Sequence, residues 1–187
     1  MKKFELTNEF ITNMFGTKLF RIRALVEFGD VEAGELGGYV EKESNLGHDD
    51  NAWVYGNARV YGDAQVSGDA LVYGNARVCG NALVYDNAWV YDNAWVYGNA
   101  QVSGDARVCG DARVCGNGDY AYAHGFGSVN RTTTFFRLED GGVGVRCGCF
   151  YGTLAQFRDK IRETHGETKK AQEYLMLADL MKLRFEK

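Results

Sequence analysis

From Asn51 to Gly116 the chain repeats one six-residue unit eleven times without a break. The units read NAWVYG, NARVYG, DAQVSG, DALVYG, NARVCG, NALVYD, NAWVYD, NAWVYG, NAQVSG, DARVCG and DARVCG. Each follows Asn/Asp–Ala–x–Val–Tyr/Ser/Cys–Gly/Asp. A fixed short period of this kind specifies a solenoid, and six-residue periods belong to parallel β-helices.

The unit has a direct physical reading. Side chains alternate across a strand, so Ala and Val of A-x-V share one face, while x and the residue after Val share the other. The Ala/Val side is the interior. Gly followed by Asn or Asp turns each corner, because these residues tolerate positive φ. Two corners carry Asp86-Asn87 and Asp92-Asn93 instead, which Asp still allows. The chain has no proline, so its corners are turned by Gly-Asn/Asp. Coils of 18 residues are expected, stacking Val54, Val72, Val90 and Val108 in one interior column.

The V-x-G-[N/D]-A-x cadence resembles the hexapeptide-repeat superfamily, which implies a left-handed parallel β-helix with three units per triangular coil. Upstream, ALVEFGDVEAGELGGYVEKESNLGHDDNAWVYGNA (Ala24 to Ala58) resembles the opening segment of repeat proteins from phages, prophages and bacteria. That branch is often labelled transferase on the strength of the repeat alone. His124 to Gly166 is similar to the C-terminal module of its phage-type members. The fold class so implied is mainly β: a left-handed parallel β-helix with an N-terminal β cap and a C-terminal ββαα module. The expected divisions are 1–36 for the cap and opening segment, 37–126 for the solenoid and 127–187 for the hairpin and two helices.

The ends are less regular. KFEL and LFRIRALVEF read as two strands around Asn13 and Gly16, with Phe20, Ile22 and Ala24 facing in and Arg21 and Arg23 facing out. Solenoid ends expose strand edges, so a cap is required. Gly37-Gly38-Tyr39-Val40 and Leu46 read as imperfect opening units. Arg131–Arg137, the Glu139–Gly142 turn and Val143–Phe150 read as a hairpin. Thr153 and Gln156 have the capping-box form, Gly166 ends that helix, and a second helix starts near Thr168 with Ala171, Tyr174, Leu175, Ala178, Met181 and Phe185 inward. This module caps the other end or extends into an oligomer contact.

Bulk properties exclude several function classes. The formal charge of −4 disfavours coating nucleic acid, which rests on neutralising phosphates. No apolar run approaches a membrane span, and MKKFELTNEF lacks the apolar core of a signal peptide; the expected setting is cytoplasmic, the host cytoplasm for a phage-encoded chain. Five cysteines without a C-x-x-C or Cys/His cluster argue for free thiols and against a metal site. No motif calls for a cofactor.

Folding three units to a coil turns the outward positions into columns. One face carries Trp53, Leu71, Trp89 and Arg107 beside Tyr55, Tyr73, Tyr91 and Cys109. A second carries Arg59, Arg77, Trp95 and Arg113 beside Tyr61, Cys79, Tyr97 and Cys115. The third, with Gln65, Gln101, Ser67 and Ser103, is mostly polar. Three readings of the first face stand: ladder stacking, a ligand or partner surface, or a homo-oligomer contact through Trp53, Tyr55, Leu71, Tyr73, Trp89 and Tyr91, a trimer being common in the resembled superfamily.

For function, the reading is a non-enzymatic, homo-oligomeric binding protein that sequesters a small nucleotide signal or blocks a host protein, a counter-defence role. Its candidate ligand residues are Arg59, Arg77, Trp95, Tyr97 and Arg113, since guanidinium groups grip phosphate and rings stack on bases. The segment Arg131-Thr-Thr-Thr134 adds hydroxyls and a cation. A structural scaffold without ligand is one alternative, with the arginines only shielding aromatic edges. A hexapeptide-repeat acyltransferase is the other; it needs a catalytic histidine, and the eleven units contain none. No catalytic residue is assigned.

Overall fold

The computed structural model describes residues 1–127, 129 and 131–186. The x–Val pair of every hexad forms a two-residue strand, giving β4 to β14 from Trp53–Val54 to Arg113–Val114. Partners lie 18 residues apart: Val54 pairs with Val72, Val72 with Val90, and Val90 with Val108. Equivalent columns run through Val60, Val78, Val96 and Val114, and through Val66, Val84 and Val102. These valines and the alanines of the hexads fill the interior with almost no solvent exposure. The expected parallel β-solenoid and its register are therefore present.

Corner geometry explains the sequence of the turns. Ten consecutive corner residues, Gly56 to Gly110, hold φ between 56° and 69°, including Asp86 and Asp92. At the two aspartates the carboxylate offsets the strain of a left-handed backbone by accepting from an amide one coil on. Asp86 accepts from the Gly104 N–H at 3.1 Å and Asp92 from the Gly110 N–H at 3.3 Å. Corner amides also pair between coils, as Asn51 to Asp69 at 2.8 Å and Asn81 to Asn99 at 3.0 Å.

At the N-terminal end, β1 (Phe4–Thr12) and β2 (Lys18–Ala24) form an antiparallel hairpin, and β2 pairs with β3 (Leu36–Val40). Strand β3 joins the solenoid in register, Val40 against Val60, and Leu46 bridges Val66. The imperfect opening units thus belong to the coil. The expected alternation in β2 breaks at Phe20: Leu19 and Ile22 are buried while Phe20 is half-buried. The register of β2 on β3 shifts between Arg21 and Arg23, which resets the phase.

The expected C-terminal hairpin is the middle of a wider sheet. Strands β15 (Tyr120–Phe126), β16 (Arg131–Arg137), β17 (Val143–Cys147) and β18 (Phe150–Thr153) form one antiparallel sheet in that order. Two helices follow, α1 (Leu154–His165) and α2 (Lys169–Phe185). Thr153 and Gln156 close the reciprocal capping box on α1, and Gly166 ends it at φ 56°. Adjacent phenylalanines in β16 serve two cores. Phe136 packs with the solenoid interior, whereas Phe135 packs with Phe157, Ile161, Tyr174 and Met181 of the helices. The sheet lies between solenoid and helices and closes the last coil. Among the described residues, no helix is long and apolar enough to cross a membrane.

Candidate functional site

The first solenoid face is largely closed by the chain itself. Trp53, expected at a subunit contact, is fully buried beneath Phe4 and Phe28, whose ring centroids lie 6.2 and 5.3 Å away. The N-terminal hairpin and its connection to β3 cover it, so an exposed Trp53 is corrected. Further along, Tyr73 stacks on Tyr91 at 4.8 Å, and Trp89 meets Tyr73 edge-on at 6.1 Å. The Arg146 guanidinium of β17 lies 5.9 Å from the Tyr91 ring. Leu71, Tyr73, Trp89 and Tyr55 stay half-buried, and Tyr91 is buried. Burial pushes the phenols of Tyr55, Tyr73 and Tyr91 up from their ordinary range. The ladder-stacking reading describes these contacts.

The second face brings together three of the five expected ligand residues. Trp95, Tyr97 and Arg113 line a groove of about 430 Å³ with Asp119, Arg137, Leu138 and Glu139. Arg59 and Arg77 lie further along the same column, with Arg77 5.8 Å from the Trp95 ring. Charges in the groove are already matched. Arg113 pairs with Glu139 at 2.7 Å and donates to the carbonyls of Ala112 and Asn93. Arg137 lies 3.9 Å from Asp119. An incoming phosphate must displace a carboxylate here, which costs part of what the guanidinium offers.

A different cleft has unmatched charge. Asn87, Trp89, Asp105 and Arg107 of the solenoid face Arg131, Thr132 and Gly148 of the C-terminal sheet across a space of about 470 Å³. Arg107 lies over the Trp89 ring at 4.5 Å. Its backbone is fixed by donation of its N–H to the Thr134 hydroxyl at 2.9 Å. Arg131 passes over Gly148, where a side chain would collide with its guanidinium. Gly148 opens the two-residue turn between β17 and β18 with φ 58°, as a tight hairpin requires. Among the described residues, neither Arg107 nor Arg131 forms an ion pair. Asp105 accepts from Asn87 at 3.1 Å, and His124 sits at the rim, 2.9 Å from the Thr132 hydroxyl.

Sequence columns placed Trp89 and Arg107 side by side and singled out Arg131-Thr-Thr-Thr134, but not the meeting of the two. Their juxtaposition depends on how the sheet lies on the last coil, which no local pattern encodes. Among the described residues, no group of three or more His, Cys, Asp or Glu side chains is placed to hold a metal ion.

Comparison with known proteins addresses the repeat. Residues 52–68, 64–78, 76–92, 88–104 and 100–116 match the YdcK beta solenoid repeat model. No curated protein matches the chain. The repeat match and the coil geometry agree: the chain is a parallel β-helix repeat protein.

Proposed function

We propose that the protein is a non-enzymatic binding protein whose site is the cleft between the first solenoid face and the C-terminal sheet. The ligand is a small phosphorylated molecule of the nucleotide class. One observation carries this reading: two guanidinium groups without carboxylate partners among the described residues, Arg107 and Arg131, face one cleft. Guanidinium donates to phosphate in bidentate geometry and offers a flat cation on which a base stacks. Trp89 lies against Arg107 at 4.5 Å, and both side chains line the cleft. Asp105 and Asn87 supply an acceptor and an amide for sugar or base groups. The cleft volume falls within the range of roughly 300–1,000 Å³ usual for small-ligand sites. The charge balance favours this cleft over the Trp95–Arg113 groove, where each arginine already has its carboxylate.

The opening and closing segments resemble those of phage and prophage repeat proteins. In that setting a binder without chemistry of its own acts by sequestering a nucleotide signal of the host, a counter-defence role. Calorimetric titration with nucleoside diphosphates, cyclic dinucleotides and ADP-ribose tests the reading. Binding of one of them, weakened at least tenfold in Arg131→Ala and Arg107→Ala but unchanged in Arg113→Ala, is the expected result. No heat from any of the three classes would leave a scaffold role instead.

A further inference from the structure

Helix α2 has two apolar faces, and the fold uses only one. At roughly 100° per residue, Ala171, Tyr174, Ala178, Met181 and Phe185 fall on one side, and all are buried against the sheet and α1. Met176, Leu180 and Leu183 fall on the opposite side at spacings of four and three. They are 71%, 55% and 70% exposed. The first-face aromatics of the solenoid, by contrast, are buried or half-buried within the chain. A second apolar stripe on a helix, at the spacing of a coiled-coil seam, calls for a covering surface.

We infer that this stripe is the contact between copies of the chain, and that the two α2 helices meet in parallel. Charge placement decides the occupant and its direction. One flank of the stripe carries Asp179 and the other Lys170 and Arg184; Glu186 follows as the extended C-cap and lies 3.8 Å from Lys182. When like helices pair in parallel, the acidic flank of one faces the basic flank of the next. Asp179 then lies five residues before the Arg184 of its neighbour, the spacing of an interhelical ion pair in a parallel seam. An antiparallel pair sets acidic flank against acidic flank. Asp179 already meets Arg158 at 2.6 Å and Arg184 donates to the Asn117 carbonyl at 3.2 Å. Both are thereby held in place, and both keep further lone pairs or N–H groups for a neighbour. Toward the start of the helix the seam positions are Lys169 and Glu173, so the contact is confined to the three apolar layers. The inference does not depend on the nucleotide reading.

Sedimentation and cross-linking test it together. The intact protein should sediment above the 20.8 kDa monomer, and Leu180→Glu should return it to the monomer with its circular dichroism unchanged. In a background where the exposed Cys115 and Cys149 are serine, single Met176→Cys and Leu183→Cys variants should each form covalent homodimers on mild oxidation. Cross-linking of Leu180→Cys alone means an antiparallel pair and overturns the direction. A monomeric intact protein, or an oligomer that survives Leu180→Glu, overturns the contact.

Discussion

The two ends of the solenoid face opposite chemical problems. Flanking each short strand, N–H groups of one coil donate to carbonyls of the next, as Trp53 to Ala70 and Tyr55 to Val72. At these flanking positions the first coil is left with spare carbonyls and the last with spare N–H groups, while inside each strand the parallel pairing returns a bond from the later coil to the earlier one. The N-terminal cap supplies donors. Backbone amides of Tyr39, Glu41 and Gly47 reach the carbonyls of Ala58, Val60 and Val66. The Asn45 amide donates to the Gly62 and Ala64 carbonyls at 3.0 and 2.8 Å, and the Lys3 ammonium to those of Asp50 and Ala52 at 2.7 and 2.9 Å. The C-terminal end supplies acceptors. Thr134 takes the Arg107 N–H, Asn117 that of Gln101, and Asp119 those of Cys115 and Gly116. The bonds that flank the strands are directional, and the caps complement that direction because buried backbone polar groups must be paired.

One isosteric substitution made at both ends gives the largest contrast. Asn45→Asp removes both donors from a fully buried site and sets a carboxyl oxygen against two carbonyls. Loss of several kcal/mol, on the order of 4 or more, is expected from burying an unpaired carboxylate. Asn117→Asp keeps the acceptor for Gln101 on an exposed residue, and stability should stay within about 0.5 kcal/mol. Denaturant midpoints measure both. Equal effects at the two ends would refute the directional account.

At the exit end, Thr134→Val keeps shape and removes only the acceptor for the Arg107 N–H. Thr134 is 1% exposed, so no water replaces the lost hydroxyl. The expected cost is about 1–3 kcal/mol, while Thr134→Ser should retain most of the stability. Val and Ser variants that melt alike would mean that the Arg107 amide finds another partner.

How much of this was legible follows from which forces are local. The interior columns, corners, capping box and buried face of α2 follow from period and residue type, so Val90, Gly98, Thr153 and Tyr174 sit where the pattern puts them. Strand β15 escaped because the decaying repeat assigns Tyr120–Phe126 to the solenoid, although Asn117-Gly118 just before it is a turn signal. Trp53 misled because its hexad position is outward on the coil; its burial depends on Phe4, some fifty residues earlier. Arg131 in the cleft and Asn45 under the first coil are tertiary placements of the same kind. A side chain that caps a backbone from a distance leaves no period behind. The columns did place Trp95, Tyr97 and Arg113 together, but not Glu139, the carboxylate that matches their charge.

Lys3 gives the effect with a pH signature. It is 3% exposed, and burial lowers its ammonium pKa from the ordinary 10.5 to about 8. Below about pH 8 both folded and unfolded chains carry the proton, and the buried cation costs a constant amount. Between about 8 and 10.5 the folded chain has released it while the unfolded chain still binds it. Stability attributable to Lys3 therefore rises with pH across that window, with an upper limit of about 1.4 kcal/mol per pH unit. The neutral amine keeps two N–H groups, enough for the Asp50 and Ala52 carbonyls. Tyrosines such as Tyr61, pushed up to about 12 by burial, act in the opposite sense as their unfolded counterparts ionise. They are common to wild type and variant and cancel in the difference. The stability of wild type relative to Lys3→Met should thus be flat from pH 6 to about 7.5 and grow in favour of wild type up to about pH 9.5. A difference that stays flat through pH 9.5, read from urea midpoints at each pH, would show that the first coil's carbonyls are not held by a buried cation.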